Sequence, residues 1–185
     1  MAPLPFDRPD AFNRTECDAI IALARSRHME PATVHGADGD EVMPDRRRAK
    51  RRHLIRGEAP AWLFARLDAL FAEGAVRFSL SVEPVFEAIQ VVRYGLGDHF
   101  QSWHSDAGTD RHFERQVSIS VELSEPADHD GGVLEIAPGT IGAARTLPRG
   151  AARLFPSRAI HRVTPVTRGE RWALVAWTGM REPPR

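Results

Sequence analysis

The chain has 185 residues, with 25 Lys or Arg balanced by 25 Asp or Glu and 42% apolar content. That length supports one domain with a full hydrophobic core, and zero formal net charge removes the global electrostatic argument for a nucleic-acid binder. The single cysteine, Cys17, excludes an intrachain disulfide and a cysteine-rich zinc site. No apolar run is long enough for a membrane span, and Met1–Asn13 lacks the apolar stretch of a secretory signal, so the expectation is a cytoplasmic soluble domain. Lys50 is the only lysine, so an anion held by a side chain is expected to meet a guanidinium.

The first third reads as helical. Thr15 followed by Asp18 suggests a helix start, with Ile20, Ile21, Leu23 and Ala24 as its apolar stripe. Gly36–Lys50 is polar and glycine-bearing, a long loop or short edge strands, and the basic run Arg51, Arg52, His53 follows it. A second helix is predicted from about Ala59 to Glu73, where Leu63, Leu67, Leu70 and Phe71 recur at helical spacing and Gly74 supplies a stop. From Val85 onward, short β-rich runs alternate with Gly, Pro, Asp and Ser clusters. The runs are Val85–Tyr94, His99–Asp106, Arg115–Leu123, Val133–Ala137, Ala151–Phe155, His161–Val166 and Arg171–Thr178. The predicted architecture is mainly β with N-terminal helices, a jelly roll buttressed by helices. A single domain is expected, residues 1–80 forming a helical and loop support and 85–180 the β core.

Trp103-His104-Ser105-Asp106 carries the first chemical signal. On a strand, alternate residues share a face, so His104 and Asp106 project together and can share a metal ion. A pair of this kind is equally an exposed structural contact. His161 follows another apolar run, and Arg171 comes ten residues later. Two histidines and one carboxylate make a facial triad that leaves adjacent coordination positions open, which suits non-haem Fe(II). An arginine on a neighbouring strand can hold a cosubstrate carboxylate through its planar fork.

These pieces occur in a familiar order. Tyr94-Gly-Leu-Gly-Asp-His-Phe100, then His104-Ser-Asp106, resembles the Y-x-x-G-x-x-F…H-x-D segment of the Fe(II)/2-oxoglutarate-dependent dioxygenases. Within them it is most similar to the prolyl 4-hydroxylase-like branch. Arg115-Gln-Val-Ser118 resembles that branch's core strand, Gly131-Gly132-Val-Leu134 its paired-glycine turn, and His161…Arg171 its distal motif, with Trp177 on the same strand face as Arg171. The likeness covers roughly Glu87 to Gly179 and implies a double-stranded β-helix of the cupin type.

What the resemblance implies is an Fe(II) bound by His104, Asp106 and His161, and a reaction in which 2-oxoglutarate and O2 become succinate and CO2 as a C–H bond is hydroxylated. A carboxylate at Asp106 fills the position that a halide takes in halogenating relatives, so hydroxylation is the implied outcome. Arg171 would pair with the distal carboxylate of 2-oxoglutarate, helped by the Tyr94 hydroxyl, with Ser118 and Trp177 beside the cosubstrate. Gln90, Arg115, Arg46 and Arg48 are expected to face the substrate. Ser118 and Ser120 alternate with Val117, Ile119 and Val121, so the serines are expected in the polar interior and the aliphatic face on the helices.

The remaining histidines rank lower. His112 and His129 sit in turn-like stretches and read as exposed loop residues, and His99 falls on the wrong strand face. The Arg46–Arg52 run is the one local feature favouring nucleic acid, but Asp38, Asp40, Glu41 and Asp45 supply counter-charge. A related branch that repairs alkylated nucleobases carries a second arginine where this chain has Trp177. The run therefore reads as a solvated loop or a substrate-facing lid, and the Gly36–Lys50 loop is expected to be mobile until substrate binds and then to offer Arg46, Arg47 or Arg48 to an anionic group, the alternative being a solvated loop far from the site. A small-molecule, amino-acid or peptidyl substrate fits the sequence, with oligomeric state open. A non-catalytic metal-binding jelly roll, an iron or oxygen sensor, and a nucleobase demethylase are the competing readings.

Overall fold

The structure, a computed structural model, describes residues 3–36, 39–107, 113–137 and 146–181. In chain order the first half gives β1 (Phe6–Arg8), α1 (Arg14–Arg25), β2 (Glu30–Pro31), β3 (Val34–Gly36), β4 (Gly39–Glu41), β5 (Lys50–Leu54) and α2 (Ala61–Phe78). The second half gives β6 (Ile89–Tyr94), β7 (Phe100–His104), β8 (Phe113–Glu122), β9 (His129–Gly131) and β10 (Leu134–Ala137). It closes with β11 (Ala152–Pro156), β12 (Ile160–Val163), β13 (Val166–Gly169) and β14 (Arg171–Arg181).

Asn13, not Thr15, starts α1. Its side chain accepts from the Glu16 N–H at 2.9 Å while the Glu16 carboxylate accepts from the Asn13 N–H at 2.8 Å. Asn13 holds the extended backbone that a helix cap requires, whereas Thr15 already lies inside the helix. Likewise α2 runs through Gly74 and ends at Ser79, a left-handed residue with φ 56°, where the Leu80 N–H reaches back to the Ala75 carbonyl. Gly74 serves packing instead of termination. A Cβ there would sit 3.0 Å from Leu154 Cδ2 and 3.2 Å from Val117 Cγ1, so its absence lets the helix lie close on the sheet.

One antiparallel sheet takes the order β1-β11-β8-β14-β6-β5-β2, and a smaller one the order β10-β12-β7, with β13-β9 beside it. Strands alternate, and the alternation separates two environments. On β8, β11, β14 and β6 one face presents Val117, Ile119, Val121, Leu154, Leu174 and Val91, all buried against Leu63, Phe64, Leu67 and Phe71 of α2. The opposite face presents Ser118, Ser120, Glu122, Arg171 and Gln90 to the interior between the sheets. The aliphatic and serine faces of β8 fall as the alternation predicts.

The division expected near residue 80 separates helices from the β body, but it does not separate strands. β1, β2 and β5 all come from the first part and extend the large sheet. The basic run 51–53 is therefore a paired strand, with Arg51 opposite Val92 and His53 opposite Gln90. Its backbone groups find partners on β6, and the alternation turns Arg51 and His53 inward together.

Candidate active site

His104 closes β7 and lies in register with His161 on β12, their ring centroids 4.2 Å apart. Asp106 is not a strand residue. It occupies the bend after β7, where its backbone N–H donates to the Ser157 carbonyl at 2.9 Å. Ser118 Oγ donates to Asp106 Oδ2 at 2.8 Å and sits equally close to Ser157 Oγ. The carboxylate is thus oriented from two elements.

Among the described residues, His104, Asp106 and His161 are the one group whose ligand atoms all approach within 4.8 Å of one another. Each imidazole has its Nδ1 tied to a backbone carbonyl, His104 to Ser102 at 2.8 Å and His161 to Ala159 at 3.0 Å. A carbonyl can only accept, so Nδ1 carries the proton and Nε2 keeps its lone pair for the centre of the cluster. His161 Nε2 lies 3.4 Å from Asp106 Oδ2. Burial, with His161 alongside, pushes the His104 pKa down to about 4, so this ring is neutral and able to ligate near neutral pH. Burial alone would raise Asp106. His161, His104, Arg115 and the Ser118 hydroxyl outweigh it and hold the carboxyl below its ordinary value. Two imidazoles and one ionised carboxylate on a single face are the donor set that Fe(II) takes with three positions left open.

The cluster opens on a cavity of about 550 Å³ that Arg171, Tyr94 and Trp177 also line. Arg171 faces Tyr94 across the β6–β14 ladder, its guanidinium carbon 5.6 Å from the tyrosine ring centre. Its Nε donates to Glu122 Oε2 at 2.8 Å, a buried ion pair that leaves the terminal nitrogens uncommitted among the described residues. Gly132 passes directly against this arginine. A Cβ there would stand 2.9 Å from Arg171 Cδ, and with φ +63° glycine suits the position on both counts.

The other expected residues divide. Gln90 is buried on the cavity wall and accepts from Arg47 Nη2 at 3.2 Å. Arg115 also lines the cavity, but its fork is committed to Glu87 at 2.5–3.1 Å and its guanidinium lies 4.0 Å over the Trp177 ring. Arg46 lies on the lining, whereas Arg48 turns to Asp98 at 3.2 Å and to the Gly97 carbonyl, outside it. Ser118, expected beside the cosubstrate, is 1% exposed and faces Asp106 instead.

His99 is buried outside the lining, with its backbone paired to Arg48. His129 is corrected from an exposed loop residue to a buried one, 3.9 Å from Glu122, because β9 folds under the Arg171 strand end. His112 lies outside the described residues, as does most of its loop.

Three contributors escaped the sequence reading. Glu122 continues the Ser118, Ser120 alternation by one step, so period two carried its signal. Arg51 was legible once residues 50–54 are read as a strand. Phe100, present in the sequence only as part of the Tyr94–Phe100 motif, stacks on His104 at 3.7 Å between centroids, a contact that the motif did not foretell.

The sequence pattern of the "2OG-Fe(II) oxygenase superfamily" matches residues 89–179. A "PKHD-type hydroxylase" of Synechococcus sp. (strain JA-2-3B'a(2-13)) is 38% identical over 172 residues, covering 91% of this chain and 75% of that protein. The chain belongs to the 2OG-Fe(II) oxygenase superfamily. This oxygenase is a hydroxylating dioxygenase that uses Fe(II), 2-oxoglutarate and O2. In fold it is similar to a Pseudomonas putida prolyl-4-hydroxylase, with TM-score 0.75, 24% identity, and 96% of this chain and 93% of that one covered. A prolyl hydroxylase of Trichoplax adhaerens, solved with a hypoxia inducible factor peptide fragment, aligns with TM-score 0.73 and 18% identity over 95% of this chain and 83% of that one. The double-stranded β-helix expected from the sequence is the observed fold. No helix among the described residues is long and apolar enough to cross a membrane.

Proposed function

We propose that His104, Asp106 and His161 hold the Fe(II), and that Arg171 with Tyr94 holds the distal carboxylate of 2-oxoglutarate. A small-molecule, amino-acid or peptidyl substrate then enters along the wall formed by Arg46, Arg47 and Gln90. The observation that carries this reading is the shared cavity: the three ligand atoms and the Arg171 guanidinium open onto one space. Iron bound there supplies the oxidising chemistry, in which 2-oxoglutarate and O2 give succinate and CO2 and the second oxygen atom enters the substrate as a hydroxyl.

The protein's own groups set the conditions for that chemistry. The Ser102 and Ala159 carbonyls fix the histidine tautomers, and Ser118 fixes the carboxylate. Glu122 holds Arg171 by its Nε edge and so aims the rest of the fork. Asp40, Arg46 and Arg47 of the Gly36–Lys50 stretch line the cavity together with Thr33 and Val34. That placement supports the stretch's role as a lid over the substrate.

Iron titration and succinate release test the assignment together. Replacing His104, Asp106 or His161 by Ala is expected to abolish both iron binding and 2-oxoglutarate turnover in a protein that still folds. A His161→Ala protein with normal turnover would overturn the ligand set.

A further inference from the structure

Apart from the Arg171 fork, the cavity carries positive charge that the described carboxylates match only in part. Arg115 is matched by Glu87 and Arg171 by Glu122. Arg47 is not matched. It is 8% exposed, its Nη1 and Nη2 donate to the Thr33 carbonyl and to Gln90, and its Nε is buried without a partner. No carboxylate among the described residues reaches it. Arg51, also 8% exposed, has no carboxylate among the described residues nearer than Asp40, at 4.0 Å, with Glu30 acting on it more weakly, and its Nε is likewise buried without a partner. Both arginines line the cavity. Burying a guanidinium without a close anion is costly, and here two are buried on one wall. Burial and the neighbouring Arg47 also hold the Arg51 pKa below its ordinary value, as crowded like charges require.

We propose that Arg47 and Arg51 form an anion subsite for a carboxylate of the substrate, separate from the Arg171 position. The inference rests on the reading of this cavity as the place of hydroxylation. Two guanidinium charges face one carboxylate within 4.0 Å, that of Asp40, with Glu30 acting on Arg51 as well, so the excess of positive charge is small and suits a monoanion better than a phosphate dianion. Position adds a second constraint. The Arg47 guanidinium lies 4.8 Å from the centre of the Phe100 ring, which stacks on His104 at 3.7 Å. A carboxylate held on Arg47 is thus one ring away from the metal ligands, and the carbon presented for hydroxylation lies only a few bonds from that carboxylate. Because both arginines are nine-tenths buried, the anion has to enter the cavity. A free amino acid and an acidic side chain of a peptide share that chemistry.

The test uses the full chain loaded with Zn(II) and the inert 2-oxoglutarate analogue N-oxalylglycine, which occupies the Arg171 position. The Nε–H resonances of Arg47 and Arg51 are followed by nitrogen-15 NMR during titration with acetate. The expected result is a saturable shift of both resonances with acetate and none with acetamide. Arg51→Gln and Arg47→Lys should each weaken acetate binding by about tenfold or more, as loss of a charge-assisted bond implies. Should the Arg47 variant fail to fold, the wild-type titration and Arg51→Gln still decide the matter. Titration with L-proline against L-prolinamide, and with N-acetyl-Asp-Pro-Gly-amide, identifies whether a free acid or an acidic side chain is the preferred source. No saturation with acetate, an equal response to acetamide, or tighter binding of inorganic phosphate than of acetate would overturn the subsite. The hydroxylase reading is checked apart from this, by iron-dependent succinate release from the unaltered protein. Acetate binding without that turnover sinks the hydroxylase assignment alone, and turnover without acetate binding sinks the subsite alone.

Discussion

Arg171→Lys is the substitution that isolates the cosubstrate position. The arginine serves two partners at once: its Nε edge holds Glu122 at 2.8 Å, and the rest of the fork faces the cavity. A lysine keeps the charge but has a single ammonium, which cannot meet Glu122 and span a carboxylate together. Whichever partner it chooses, the other loses a charge-assisted hydrogen bond worth about 1.5–3 kcal/mol. At about 1.4 kcal/mol per decade, the 2-oxoglutarate concentration for half-maximal succinate release should rise about ten- to a hundredfold. If the ammonium turns to the cosubstrate instead, Glu122, 4% exposed, is left buried without its partner, and the melting temperature falls. Initial rates over a range of 2-oxoglutarate, calorimetric titration with N-oxalylglycine and thermal melts report both alternatives. Iron affinity should change far less, because no metal ligand is touched. A variant with unchanged 2-oxoglutarate requirement and unchanged melting would refute the reasoning. Arg115 does not inherit the role easily, since Glu87 already occupies its fork.

Other consequences are open to measurement. Ser118→Ala removes a donor 2.8 Å from Asp106, so the carboxyl pKa should rise and iron affinity fall, most visibly below neutral pH; an unchanged pH profile of iron binding would contradict this. The His104 pKa of about 4 in the folded protein lies below the ordinary 6.5, so the unfolded chain takes up the proton first as pH falls. Metal-free protein should therefore lose about 3 kcal/mol of stability between about pH 6.5 and 4, measured by denaturant unfolding, and His104→Gln should flatten that slope. Gly74→Ala gains about 1 kcal/mol of helix propensity but forces a Cβ to 3.0 Å from Leu154, so overpacking of about 1–3 kcal/mol should leave a net loss; a higher melting temperature would show that the sheet yields. Asn13→Ala should cost about 1 kcal/mol in the same melts by removing the α1 cap.

Much of this protein is written locally. Period-two alternation on residues 117–121 determined which face of β8 meets the helices, because consecutive side chains on a strand must point to opposite sides. The order of Tyr94, His104, Asp106, His161 and Arg171 carried the family and its chemistry. What alternation could not supply is the partner of each inward-facing group. Glu122 under Arg171, Ser157 behind Asp106 and Phe100 on His104 depend on which strands become neighbours, and β8 meets β11 and β14 across long separations in the chain. The helix ends show the same division. Gly74 has the composition of a stop, yet the helix continues because burying Phe78 and seating the backbone against Leu154 and Val117 outweigh glycine's entropy cost. Arg47 and Arg51 depend on the fold most of all. Their basic run reads as solvated in isolation, and only the pairing of β5 onto β6 turns Arg51 inward beside Arg47, because a polar strand with no apolar face takes its orientation from the sheet it joins.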